Sequence, residues 1–376
     1  MIYLDNAAHV PPSQELLDAI ADDKNYFYNP SSSHKSSVMA QKMIEETKKE
    51  ILKIFKADPR NYRVIFTSSG CESNSLAIGG MLEENDMREI ITTPIEHASI
   101  IELMKHYEHS RILTSDLSLD ENGHVTEDSL SGGLQDAVYP LVSIQHVNNE
   151  VGIVQDIRML AKIVHANDGY FHTDAVQSFL NVPIDLSLPE NECPDLISIS
   201  GHKIGAFSGI GALIVKRHID ISPIIFGHQE YGLRGGTENV VGIYSLLLAL
   251  NNHKENGKYP YPTYKRQFNS FINTLDKECK KYNVEYKVNK YDSNKIVSIT
   301  FNGINADMLV TMLDCNDVCV STGSACNTGT ESYVLKALGI NANNTIRVSF
   351  DSETKTSDIT AGAKKIAECA SKLSKK

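Results

Sequence analysis

Short apolar runs alternate with stretches of helical length from about residue 60 to 215. The runs are Val64–Thr67, Glu89–Thr92, Leu141–Ile144, Tyr170–His172, Leu196–Ile199 and Ala212–Val215. Each is short enough for a strand and too short for a helix of its own. Ahead of them Ile44, Ile51, Leu52 and Phe55 recur on one helical face, with Lys and Glu between. Strands alternating with helices predict an α/β fold, its large domain a mostly parallel sheet flanked by helices. The apolar stretch from Val240 to Leu250 is too short to span a bilayer and reads as a core helix. Residues 255–262 are polar and Pro-rich, which predicts a change of element or domain. Beyond them the pattern gives a helix, strands at Ile296–Phe301 and Asp317–Ser321, and a final helix after Ser357. This last part reads as a smaller α+β domain.

Composition narrows the picture only a little. At 376 residues the chain has room for one large domain and one small one. A net charge of −11 argues against a dedicated nucleic-acid binder, which wants a basic face. The seven Cys are odd in number and show no metal-ligand spacing, so neither a disulfide framework nor a metal site is expected. That usage, with no leader-like segment at the start, predicts a cytoplasmic protein without a membrane anchor.

Candidate chemistry follows the strand ends. In open α/β sheets ligands sit beyond the carboxyl ends of the strands. Ser68–Asn74, Glu96–His97, Asn148–Asn149, Asp174 and Lys203 all fall just after such ends. Lys203 closes the run Ser-Gly-His-Lys, 29 residues after Asp174. A lysine amine and a strand-end carboxylate are what pyridoxal phosphate needs: the amine condenses with its aldehyde, and the carboxylate keeps its ring nitrogen protonated. Alone, such a pair is far more often two solvated charges. Ser69 to Glu72 fits a capping box at a helix start, where Gly70 and Cys71 would hold a phosphate, although an ordinary strand-to-helix turn looks the same. His97 offers a flat ring and a proton near neutral pH, among 13 His in the chain. Gln177 could reach a ring hydroxyl, and Ser200 and His202 a phosphate. Cys326, in Gly323-Ser-Ala-Cys, lies in a small-residue loop suited to an accessible thiolate. Cys193, Cys315 and Cys319 are expected to be inert in apolar surroundings. Arg347 lies among apolar residues, as a substrate-carboxylate clamp or as a buried ion pair.

With these residues in view, the chain resembles the NifS/IscS-like cysteine desulfurases, within class V of the pyridoxal-phosphate-dependent aminotransferases. The resembling segments run nearly end to end: Leu4–Ala8, Asn29–His34, Phe66–Asn74, His146–Gly152, Asp174–Ser178, Ser200–Ile204, Arg234–Asn239, Gly323–Cys326 and Tyr333–Leu335. The resemblance implies a fold-type I homodimer with the cofactor at the subunit interface. It implies a large domain over 15–255, and a small one over 1–14 and 256–376 that carries the catalytic Cys loop. It also implies roles. Lys203 binds the cofactor covalently, Asp174 pairs with the ring nitrogen, Gln177 meets the hydroxyl and His97 stacks on the ring. Gly70, Cys71, Ser200 and His202 hold the phosphate, joined by Thr237 of the partner subunit. Asn149 and Arg347 contact L-cysteine. Cys326 takes the sulfur as a persulfide, leaves alanine, and passes the sulfur to an acceptor protein.

Some positions depart from the family pattern. Cys71 stands where Thr is usual, Arg234-Gly-Gly-Thr has Gly where Ser is common, and the stretch from Cys326 to Tyr333 is about two residues short. The acceptor is therefore left open between an iron–sulfur scaffold, a tRNA-thiolation protein and a DNA-sulfur-modification partner. A selenocysteine lyase, another class-V enzyme and a persulfide carrier without catalysis are the alternatives. Cys326 speaks against a plain aminotransferase, and Lys203, Asp174 and His97 speak against a non-enzyme.

Overall fold

The apolar runs assemble into one seven-stranded sheet. Its order is Tyr62–Thr67, Gly211–Lys216, Leu196–Ser200, Tyr170–Asp174, Leu141–Ser143, Glu89–Thr92 and Leu113–Asp116. The structure is a computed structural model; it describes all residues except 24–27, 86, 111, 260, 262–263, 291, 323–330 and 375–376. Gly211–Lys216 runs antiparallel to both neighbours, and every other pairing is parallel. Successive side chains point to opposite faces. Ile197, Ile199 and Ile214 join a core with the helices Lys35–Ile54, Ile157–Ala166 and Val240–Asn252. Leu196, Leu213 and Val215 join a separate core with Gly70–Glu84 and Ala98–Glu108. Burial on both faces is why these strands read as unbroken apolar runs.

A second sheet is antiparallel: Ser321–Thr322, Thr345–Ser349, Ile296–Phe301 and Tyr286–Val288. It shares a core with the helices Lys265–Tyr282 and Thr356–Leu373, where Phe271 and Phe350 meet edge to face at 5.6 Å. The expected strand over 317–321 divides. Val318–Cys319 pairs in parallel with Ile2–Tyr3, while Ser321–Thr322 joins the antiparallel sheet.

Besides the two-residue Ile2–Tyr3, two longer strands escaped the sequence pattern, Leu113–Asp116 and Tyr286–Val288. Both are edge strands with mostly exposed or half-exposed side chains, so neither needs an apolar run. Cys315 corrects another expectation: it is exposed at the end of the helix Ala306–Asp314, not enclosed in apolar surroundings. Among the described residues no helix is long and apolar enough to cross a membrane.

The segment from Ile2 to Ala8 links the two sheets. Leu4 N–H donates to Cys319 O at 2.9 Å, and Ser349 N–H to Leu4 O at 2.8 Å. The Asn6 amide donates to Ser349 O, and Ala7 N–H to Ser349 Oγ. This leaves the carbonyls of Ala7 and Ala8 facing the carboxyl edge of the large sheet.

Candidate active site

Lys203 ends a single 3-10 turn that follows the strand Leu196–Ser200. Its Nζ donates to the carbonyls of Ala7 at 2.7 Å and Ala8 at 2.8 Å. Beside it opens a cleft of about 340 Å³. Gly70, Cys71, His97, Asn149, Asp174, Gln177, Ser200, His202 and Arg347 all line this cleft. Five strand-end loops and a strand of the second sheet thus deliver ten of the expected residues, Lys203 included, to one place.

The anion cup is built by the turn before Gly70–Glu84. Ser69 Oγ accepts the Glu72 N–H at 3.1 Å, as a cap should. The Glu72 carboxylate reaches the Ser68 N–H, not that of Ser69, and is also held by Arg234 at 2.8 Å. This is a capping box shifted by one residue. The turn is packed without slack. A Cβ on Gly70 would lie 2.6 Å from Val176 Cγ2, and one on Gly211 would lie 2.6 Å from the Ser69 carbonyl carbon. Glycine at both positions lets the turn press onto the loop after Asp174 and onto the strand Gly211–Lys216.

Asp174 is 6% exposed. It accepts a hydrogen bond from Asn74 Nδ2 at 2.8 Å and another from the Val176 N–H at 2.9 Å. Asn74 was not singled out in the sequence for any role. It lies four residues after Gly70 on the same helix, so the helical repeat puts both on one face, and that was the available signal. His97 caps the helix Ala98–Glu108, and its Nδ1 accepts the Ser99 N–H at 3.1 Å. The neutral ring therefore carries its proton on Nε2. Burial lowers the His97 pKa; Asp174 opposes this and the Lys203 charge adds to it, so the ring is neutral near pH 7. His202, bonded to Ser200 Oγ at 2.8 Å, is brought down to about 4 by burial and by the charges of Lys203, His9 and His97.

Arg347 is 3% exposed. Its Nη2 pairs with Asp5 at 2.9 Å and its Nη1 donates to the Asn149 carbonyl at 2.8 Å. Both sequence readings of this residue thus have a counterpart, because the paired guanidinium also borders the cleft.

Thr237 is the expected residue that the chain does not bring to the cleft. It lines a separate one with Ser68 and Arg234, on the other side of the Ser68–Gly70 turn. Cys326 lies outside the described residues. The chain that follows it is tied to the site. Ser332 Oγ donates to Glu150 at 2.6 Å and caps the helix Tyr333–Ala337, while the Tyr333 hydroxyl donates to Glu96 O at 2.8 Å. Burial raises the Glu150 carboxyl to about 7.

Four buried polar atoms of the cleft residues have no hydrogen-bond partner among the described residues: Asn74 Oδ1, Asn149 Oδ1, Gln177 Oε1 and Arg347 Nε. An unsatisfied buried polar atom costs about 1–3 kcal/mol. Three acceptors and one donor around one cleft indicate a polar ligand that offers donors as well as an acceptor. With an amine, a fixed carboxylate, a neutral imidazole and a helix-start anion cup, the residues fit pyridoxal phosphate. Gln177 Nε2 is engaged with Ala7 O at 2.9 Å, which leaves one amide N–H for a ring hydroxyl.

Comparison with known proteins agrees with this geometry. The model of the family Aminotransferase class-V matches residues 2–361. The chain belongs to this family. Among class-V relatives, the cysteine desulfurase IscS of Dictyoglomus turgidum is 34% identical over 353 residues, covering 90% of this chain and 86% of its own. The structure of a NifS-like protein from Rickettsia africae superposes with a TM-score of 0.84 at 30% identity, over 98% of this chain and 99% of that one. A structure described as SspA in complex with cysteine gives a TM-score of 0.78 at 29% identity, over 93% and 99%. The mostly parallel sheet between helices is what the sequence pattern predicted, and the class-V fold is what the resemblance implied.

Proposed function

We propose that this class-V protein is a pyridoxal-phosphate-dependent cysteine desulfurase, which takes sulfur from L-cysteine as a persulfide on Cys326 and leaves L-alanine. The observation that carries the proposal is Lys203 Nζ, held by two carbonyls in the cleft that also contains Asp174 and His97. When bound there, the cofactor supplies an aldehyde for an amine and a ring that accepts electrons. Lys203 gives the amine. Asp174, its oxygens fixed by Asn74 and Val176, holds a proton on the ring nitrogen. His97 offers a flat, neutral face with its proton on Nε2. Gly70, Cys71, Ser200 and His202 surround the phosphate position. Asn149 and Arg347, which line the cleft, take the substrate, Arg347 by its carboxylate. Cys326 attacks the substrate sulfur and carries it to an acceptor protein.

The test is to mix purified protein with L-cysteine and a reductant, then assay alanine and sulfide together. Equal amounts of both are expected. Alanine without sulfide, or neither product, would sink the assignment. Selenocysteine run in parallel tests the lyase reading.

Arg347→Ala is expected to raise KM for L-cysteine roughly ten- to a hundredfold, the worth of a hydrogen bond to a charged group. Arg347→Lys should recover only part, because an ammonium lacks the planar fork. Loss of the partner of Asp5 should also lower Tm. KM, cofactor content and Tm measured on one preparation separate the roles: a fall in Tm with unchanged KM would make Arg347 purely structural.

The separate sheets and cores support a large domain over 15–255 and a small one over 1–14 and 256–376. A homodimer is part of the same reading, with Thr237 of the partner subunit at the phosphate. Beside the loop that carries Thr237, Gly235 N–H bonds to Ile225 O, and Ile225, Phe226 and Tyr231 are exposed. Apolar side chains grouped in this way mark a contact surface. Sedimentation should give twice the chain mass, and Phe226→Asp should shift it toward one. A wild-type monomer with full cofactor occupancy would refute the interface.

A further inference from the structure

Cys71 stands apart from the other described cysteines. Cys193, Cys279 and Cys369 are buried, Cys319 is half-buried, and Cys315 is exposed far from the cleft on the helix end at Asp314. Cys71 is exposed and lines the cleft itself, on the first turn of Gly70–Glu84. One turn further along the same helix, Asn74 is 1% exposed, and its unpartnered Oδ1 belongs to the same cleft. The helix start therefore presents a polar ligand position and a reachable thiol side by side.

We propose that Cys71 is a thiol-modification site gated by the cofactor: in the empty protein it reacts with small disulfides and electrophiles, the adduct blocks cofactor loading, and bound cofactor shields it. This rests on the reading that the cofactor phosphate sits at Gly70 and Cys71. Phosphate and adduct compete for one volume. The turn cannot yield to admit both, since Gly70 is pressed against Val176 and Gly211 against Ser69. Valine, branched at Cβ, has little rotamer freedom with which to give way. Access governs the reaction, because a thiol exchanges with a disulfide only where the disulfide can reach it. The chemistry balances without a further oxidant. Cys71 Sγ, as thiolate, attacks one sulfur of the small disulfide; a new S–S bond forms, the old one breaks, and the other half leaves as a thiolate. The thiol proton goes to water. A dithiol reverses the exchange.

The experiment uses the full chain, with and without pyridoxal phosphate. Each form is treated with oxidised glutathione or iodoacetamide, and adducts are located by peptide mass. Cys71 is expected to be labelled in the empty protein and protected in the loaded one, while Cys315 is labelled equally in both. Treated empty protein should then take up pyridoxal phosphate, followed by its absorption, with affinity reduced roughly ten- to a hundredfold. Dithiothreitol should restore uptake after glutathione and not after iodoacetamide. In Cys71→Thr, treatment should leave uptake at the level of the untreated variant. Equal labelling of Cys71 in both forms overturns the proposal, as does normal uptake by the labelled protein. So does a block that persists in Cys71→Thr, which would place the effect at another cysteine. If the untreated protein takes up no cofactor, the functional reading falls and this proposal with it.

Discussion

Lys203→Ala is expected to lower desulfurase turnover roughly 10⁴-fold or more and to remove the visible absorption of the bound cofactor. The size of the effect follows from chemistry and not from packing. Among the described residues no other lysine lines the cleft, so none of them places an amine to substitute. The structural cost should be modest. Ala7 O keeps the Gln177 amide as a donor, and only Ala8 O loses its side-chain partner among the bonds described. Lys203→Arg keeps a cation near both carbonyls but cannot condense with an aldehyde. It should therefore restore Tm and not activity. Dialysis, followed by an absorption spectrum and an alanine assay, reads all three proteins. A Lys203→Ala protein that retained both the band and normal turnover would remove the basis for the cofactor assignment.

Cys326→Ala is expected to separate two events that the wild-type enzyme couples. It should bind pyridoxal phosphate normally and still change its spectrum when L-cysteine is added, because Lys203, Asp174 and Arg347 are untouched. Sulfide and alanine should fall below detection. The same separation decides between two thiols. Among the described residues Cys71 is the one cysteine lining the cleft. If sulfide formation survives in Cys326→Ala and is lost in Cys71→Thr, the sulfur is taken at the helix start instead. Single-turnover measurement of alanine in each variant distinguishes these outcomes.

Much of this site is legible in the sequence for a definite physical reason. A parallel sheet buries both faces, so its strands show as apolar runs, and the loops after them must converge on one edge. Lys203, Asp174, His97 and Asn149 could be placed by that rule alone. Leu113–Asp116 could not, because an exposed edge strand carries no apolar signature. The Ala7 and Ala8 carbonyls were invisible for a different reason. They act through the backbone, and no side-chain type marks a carbonyl that will meet an amine almost 200 residues away. Asn74 lies within reach of helical spacing, but a single amide on a helix face carries no mark of the carboxylate it meets 100 residues on. The Thr237 loop shows the limit of one chain, since a residue read as acting across subunits lines another cleft here.

The bridge made by residues 2–8 also has a meaning in time. Asn6 bonds to a residue 343 positions further on, and Asp5 to one 342 positions on. At about 5–20 residues per second of synthesis, this short stretch waits roughly 20–70 s on the ribosome for its partner strand. For most of that interval Leu4, fully buried in the finished molecule, lacks its core partners, which begin at Tyr264. Lys203 emerges well before Thr345–Ser349, while the segment that offers it two carbonyls still lacks its bonds to that strand. The large sheet can close early from near neighbours, but the segment with the amine's acceptors gains its full set of anchors only when the last strand arrives. Full anchoring of the lysine's acceptors is thus among the final properties the nascent chain acquires, and a prematurely ended chain would hold most of its fold with those acceptors only partly fixed.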